Sequence, residues 1–272
     1  MTAGGTRRSG FWAMAIAAGL SASVQAQAPM TREDMAHFLL TAKVVASKGL
    51  DKGVTHPARL TLSDGTTTHD GAFSRVDDHE SIMRFERGRT ELDFVDSYKY
   101  TLAAYGLAGL LGLADMMPVT VERKWDGDTG ALSWWIDDVQ FDEGERLKRR
   151  VSPPDREGWN RQMYRMRVFS QLVADTDRNV GNVLVGRDWK LWMIDFTRAF
   201  RKNNQLLAPG DLTRCDRALL ERLRALTKDT VAAATHPYLT TPEVGAVLAR
   251  RDRIVALVDK AVAEHGESQV LY

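Results

Sequence analysis

The stretch that most constrains this chain runs from Asp175 to Phe200. A polar run, Asp175-Thr176-Asp177-Arg178-Asn179-Val180-Gly181-Asn182, leads into Val183-Leu184-Val185. The turn Gly186-Arg187-Asp188 separates these from Trp189 to Ile194, and Asp195-Phe196 follows at once. Loop, hairpin and loop can bring two carboxylates and an amide to one place. Phosphoryl transfer asks a protein for such a set: one carboxylate orients the acceptor hydroxyl, while an Asn and a second Asp hold Mg²⁺ on the phosphates. Two other readings compete. Asp175-x-Asp177-x-Asn179 also begins like an EF-hand, but that loop needs Gly at its sixth position and Glu at its twelfth, where Val180 and Gly186 stand. The plainer alternative is an Asp/Asn-rich turn joining a helix to an ordinary hairpin.

The text around this segment is β-rich first and helical second. Met35, Leu39, Ala42, Val45 and Ala46 recur at helical spacing and predict a short helix over 31–50, ending at Gly49. Ala58 to Leu62 and Ala72-Phe73, parted by Ser63-Asp64-Gly65, predict a hairpin, and the charged residues 77–96 predict a loop. Tyr98 to Leu113 reads as a helix with Leu102, Tyr105, Leu107, Leu110 and Leu111 toward a core. Strands are expected at Val119–Trp125 and Ala131–Ile136, joined by the turn Asp126-Gly127-Asp128-Thr129-Gly130. Residues 138–157, with Pro153-Pro154, predict a linker between an N-lobe over 51–137 and a C-lobe over 158–272. In the C-lobe, Trp159, Met163, Met166, Phe169, Leu172 and Val173 stripe one face of a central helix over 158–174, and further helices are expected near 216–228 and 242–264.

Charge and cysteine content narrow the partners. The 272 residues carry 37 Lys and Arg against 36 Asp and Glu, so no broad basic field draws the chain to nucleic acid. A single cysteine, Cys215, excludes an internal disulfide. Arg7-Arg8 precede the uncharged run Phe11 to Val24, and Val24-Gln25-Ala26 presents small residues for signal peptidase. The expectation is a signal peptide over 1–26, a mature chain from Gln27 with a helical extension over 27–50, and export to a bacterial periplasm or beyond. The apolar run falls short of the roughly 20 residues that span a bilayer, so no transmembrane anchor is expected after cleavage.

Asp177 to Asn182 satisfies the D-x-x-x-x-N spacing of a kinase catalytic loop. With Ile194-Asp195-Phe196 it resembles the atypical kinases, a group that takes in phosphoinositide kinases, secreted Golgi-type protein kinases and bacterial relatives. The His that usually follows Asp-Arg in phosphoinositide kinases is Asn179 here. Ala103-Ala104-Tyr105 through Gly112 and Pro118-Val119-Thr120-Val121 look like the regulatory helix and next strand of the secreted and bacterial relatives. The resemblance spans about Ala72 to Phe200.

It implies an α+β, two-lobed protein-kinase-like fold. Asp177 would be the catalytic base, and Asn182 and Asp195 would hold Mg²⁺ or Mn²⁺ with ATP or another nucleotide as donor. The acceptor, whether protein, lipid or small molecule, is left open. The resemblance breaks at the phosphate-contacting Lys and its helix Glu, where Ser74 and Thr101 stand. Losing both leaves no stranded buried charge. Arg75 or Lys99 would then be the candidate phosphate-binding cations. A metal-dependent phosphotransferase is expected, with an exported pseudokinase that binds a nucleotide or partner as the alternative.

Overall fold

The structure, a computed structural model, describes Met1 and residues 30–49, 57–84 and 90–272. The account that follows concerns the unit Thr31–Tyr272. The expected signal and its cleavage after Ala26 lie, Met1 aside, outside the described residues. Among those residues no helix is long and apolar enough to cross a membrane.

Helix α1 (Arg32–Thr41) starts at Thr31, whose hydroxyl and backbone form a capping box with Asp34. The expected continuation to Gly49 does not occur. Ala42 turns extended, and Lys43–Gly49 is strand β1, antiparallel to β2 (Ala58–Ser63). Val44 and Val45 are β-branched, and the pairing of β1 with β2, which leaves Val45 at a bulge, overrides the helical spacing of Val45 and Ala46. Strand β3 (Thr68–Ser74) completes the expected hairpin with β2.

Within residues 77–96, expected as a loop, stands instead a ribbon of two antiparallel strands, β4 (Asp77–Arg84) and β5 (Thr90–Ser97), registered Asp77 to Ser97. Most of its side chains are exposed, so it lacks the apolar alternation by which strands are read. Helix α2 (Tyr98–Leu110) follows, then β6 (Thr120–Trp125) and β7 (Asp128–Trp134). The β6–β7 turn is tighter than expected: Trp125 pairs with Asp128, leaving Asp126 (φ 52°) and Gly127 (φ 88°) in the left-handed region that a two-residue hairpin turn requires. Strand β7 ends at Trp134, two residues short of expectation. The sheet order is β1-β2-β3-β7-β6, and α2 packs on it through Tyr98 and Leu102 against Ala131.

The expected linker is also structured. Within it β8 (Val139–Asp142) joins a second sheet and α3 (Glu143–Lys148) is capped by the Asp142 side chain. Phe141 is buried there beside Trp189, and that burial outweighs the polar sequence around it. The central helix α4 (Arg156–Val173) buries Phe169, Leu172 and Val173. After it, β9 (Val183–Gly186) and β10 (Leu191–Met193) form the expected hairpin, in the order β10-β9-β8.

The remaining helices are α5 (Arg217–Ala225), α6 (Lys228–Thr235), α7 (Thr241–His265) and α8 (Glu267–Val270). The helix expected near 216–228 is α5, and α6 is a further one that Thr227 caps. Gly106 fits α2 against α6 so closely that a Cβ would lie 2.1 Å from the Ala234 carbonyl oxygen. Tyr100 ties α2 to α7 by donating to Glu243 at 2.5 Å. These contacts set the start of α2 beside the loop that follows α4.

Candidate functional site

Helix α4 ends at Ala174, whose left-handed backbone (φ 47°) swings the chain out of the core. Asp175 comes next with its side chain buried against Arg178. One guanidinium then organises the whole segment. Arg178 Nε donates to Asp175 Oδ2 at 2.7 Å, Nη1 donates to the carbonyls of Asn182 and Ile194 at 2.7 Å each, and Nη2 donates to the Asp195 carbonyl at 3.1 Å. Its Cζ lies 4.2 Å from the centre of the Phe196 ring, which is buried on Phe169. The two ends of the β9–β10 hairpin are therefore pinned to one cation. Burial pushes the Asp175 carboxyl above the usual carboxylate range, and Arg178 pulls the other way.

Asp177, Asn182 and Asp195 are brought together by this frame. Asn182 Nδ2 donates to the Asp177 carbonyl at 3.1 Å, and the Ile194 N–H donates to the Asn182 carbonyl at 3.2 Å. Among the described residues the Asp177 carboxylate accepts no hydrogen bond and pairs with no cation. Asp195 is exposed and left-handed (φ 57°), which is uncommon for a non-glycine residue. Its Oδ1 accepts from the Thr197 hydroxyl at 2.9 Å and the Thr197 N–H at 3.4 Å.

Thr197 belongs to a part of the site that local sequence did not disclose. Its carbonyl accepts the Ser97 N–H at 2.8 Å, so strand β5 runs directly onto the segment after Asp195. Asp96 faces the same place with one carboxylate oxygen buried and unpartnered among the described residues. Burial raises its pKa; the Thr197 hydroxyl opposes this, Asp195 adds to it and Arg198 opposes it. No motif marks Asp96 or Thr197, because their neighbourhood exists only once the hairpin has docked.

The two candidate cations lie elsewhere. Arg75 pairs with Asp128 at 2.5 Å at the end of β3, both half exposed. Lys99 donates to Asp77 at 2.6 Å, and Asp77 also accepts from the Ser97 hydroxyl at 2.6 Å. That hydrogen bond from Lys99 to Asp77 raises the ammonium's pKa. Neither cation has an ion pair or hydrogen bond to Asp195 or Asn182.

The donor set suits a hard divalent ion. With Nδ2 turned to the Asp177 carbonyl, Asn182 keeps its amide oxygen for a ligand, and Asp195 keeps Oδ2. Among the described residues no group of three or more His, Cys, Asp or Glu could hold a metal alone. An amide and a carboxylate oxygen fit Mg²⁺ or Mn²⁺, which take one or two protein oxygens and complete their shell from water and phosphates.

The five-stranded sheet with α2 packed on it, and the helical half whose loop–hairpin–loop presents these oxygens, together form a kinase-like fold. Solved structures sharing it include a hydra Fam20 with sugar (TM-score 0.64, 14% identity, covering 88% of this chain and 91% of that one). The Golgi casein kinase with Mn/ADP bound aligns at TM-score 0.60 and 14% identity, over 88% of this chain and 78% of its own. The Helicobacter pylori proinflammatory kinase CtkA aligns at TM-score 0.52 and 8% identity, over 84% and 98%. No family model matches the chain. No curated protein matches it either.

Proposed function

We propose that the chain is a metal-dependent, kinase-like phosphotransferase in which Asp177 is the base and Asn182 and Asp195 hold the cation. The observation that carries this reading is the Arg178 fan, which fixes the backbone of Asn182, Ile194 and Asp195 around one guanidinium before any ligand arrives. Preorganised oxygens of this kind cost little reorganisation when charge develops. Bound Mg²⁺ or Mn²⁺ would neutralise the charge of the transferring phosphates. Asp177, with no partner on its carboxylate among the described residues, would accept the proton of an acceptor hydroxyl. The Golgi casein kinase structure, with Mn/ADP bound, supports metal and nucleotide as the ligand pair. Export of a mature chain from Gln27 is part of the proposal and is tested by intact mass of the envelope protein.

The second reading, a pseudokinase that binds nucleotide without turnover, draws on a different observation. Ser74 and Thr101 replace the Lys and Glu, while Arg75 and Lys99 are engaged by Asp128 and Asp77. Misplacing reacting groups by about 1 Å costs on the order of a hundredfold in rate, so turnover without a phosphate cation should be weak. Lys99 can serve only by leaving Asp77.

Calorimetry with Mn²⁺ and nucleotide tests the shared part of both readings. Asp195→Ala is expected to abolish metal-dependent nucleotide binding and keep the fold; retained binding refutes the site assignment. Mass spectrometry for transferred phosphate then separates the two. Turnover lost in Asp177→Ala supports the enzyme, and no turnover in any form, with metal-dependent binding intact, supports the pseudokinase.

A further inference from the structure

The β4–β5 hairpin makes a denser set of contacts with the segment after Asp195 than hairpin docking alone requires. Glu91 on β5 accepts a hydrogen bond from Arg198 Nη2 on Oε2 at 2.6 Å, and its Oε1 forms an ion pair with Arg201 Nη2 at 2.5 Å. All three side chains are at least 86% buried, with exposures of 14% or less. Phe94, three residues along the same strand, places its ring 4.8 Å from Arg198 Cζ and 5.8 Å from Arg201 Cζ. One strand thus holds two guanidinium groups by a carboxylate and a ring.

The backbone of the same segment is anchored independently. The Arg198 carbonyl accepts from the Thr176 N–H and hydroxyl at 3.4 and 3.0 Å, and the Phe200 N–H donates to the Val173 carbonyl at 2.5 Å. Buried Arg250 donates to the carbonyls of Leu172, Arg201 and Asn203. Glu91 therefore governs where the two guanidinium groups sit more than where the chain runs. Their placement matters because Arg198 is three residues from Asp195 and acts electrostatically on Asp96, as do Asp195 and Asp78. A guanidinium released among those carboxylates competes with a divalent cation for the same oxygens.

We infer that Glu91 is a positioning residue for the metal site: by sequestering Arg198 and Arg201 on β5, it keeps Asp195 open to a divalent cation. Asp195 is then aimed by Thr197, which β5 holds through Ser97. This inference rests on the proposed reading of Asp195 as a metal ligand.

The test is Mn²⁺ binding by the full mature chain with ADP, read by loss of the free-ion electron paramagnetic resonance signal, so that turnover is not needed. Outer-shell changes typically weaken metal binding by 10–100-fold, and Glu91→Gln is expected to do so by about tenfold. Adding Arg198→Gln to that variant is expected to restore affinity to within about threefold of wild type, because the competing cation is gone. Arg198→Gln alone is expected to bind no more weakly than wild type. Unchanged affinity in Glu91→Gln, or a double variant no tighter than the single, overturns the inference. If Glu91→Gln does not fold by circular dichroism, Arg198→Gln decides: a tenfold loss there means the cluster is only structural support. Mn²⁺ binding that is unaffected by Asp195→Asn, or undetectable in wild type, refutes the metal reading itself and the inference with it. Asp195-dependent binding that ignores Glu91 refutes the inference alone.

Discussion

Replacing Arg178 by Met tests the frame of the site most directly. The substitution keeps the length of the side chain over Phe196 but removes the cation and its donors. Of the three carbonyls it served, that of Asn182 still accepts the Ile194 N–H and that of exposed Asp195 can turn to water, so their loss is cheap. The dominant cost is Asp175, left buried without its cation. Removing one partner of a buried pair costs about 3–5 kcal/mol, which for a chain of this size lowers Tm by roughly 6–20 °C.

The sign of the pH dependence follows from the direction of the Asp175 shift. Burial holds its folded pKa above the unfolded value, so the folded state binds the extra proton. The corresponding stability is present below the ordinary carboxylate range near 4 and is lost as pH rises through the raised folded value. Without Arg178 to oppose burial the shift grows, so the deficit of Arg178→Met should shrink toward pH 5 and widen toward pH 8. Asp175→Asn in the same chain removes the stranded charge and should recover about 2 kcal/mol. Urea denaturation at both pH values measures all of this. A deficit under about 1 kcal/mol, no change with pH, or no rescue by Asp175→Asn would mean that Arg178 does not organise the segment.

Two further substitutions probe how α2 is seated. Gly106→Ala should gain about 0.5–1 kcal/mol of helix propensity but lose about 1–3 kcal/mol to overpacking against the Ala234 carbonyl; a net fall in the urea midpoint is expected, and a rise would refute the close α2–α6 approach. Tyr100→Phe deletes a buried donor to Glu243, whose other oxygen is already used by Thr240, and should cost about 1.5–3 kcal/mol by thermal denaturation; a neutral result would show that the bond is not formed in solution.

What could be read from sequence alone follows the range over which the signal acts. The α4 stripe of Phe169, Leu172 and Val173 and the β9–β10 hairpin are each encoded within a short stretch of chain, and both elements took the predicted form. The same local reading went astray wherever pairing decided the outcome. Val45 and Ala46 fit a helix by spacing but sit in β1, Val45 at a bulge and Ala46 opposite Thr61, because β2 is there to receive the strand. The β4–β5 ribbon is mostly solvated and so carries no apolar period.

The absence of a strand Lys and a helix Glu was legible as Ser74 and Thr101. That Arg75 and Lys99 are already engaged was not, since Asp128 and Asp77 lie 53 and 22 residues away along the chain. Asp96, Thr197, Glu91 and Arg198 carry no motif at all, because an ion pair across 107 residues leaves no trace in the sequence near either partner. Local patterning thus determined the helices, the β9–β10 hairpin and where Asp177, Asn182 and Asp195 stand along the chain. Only the tertiary fold decided which charges and carbonyls meet them, because electrostatic neighbours are chosen by distance in space.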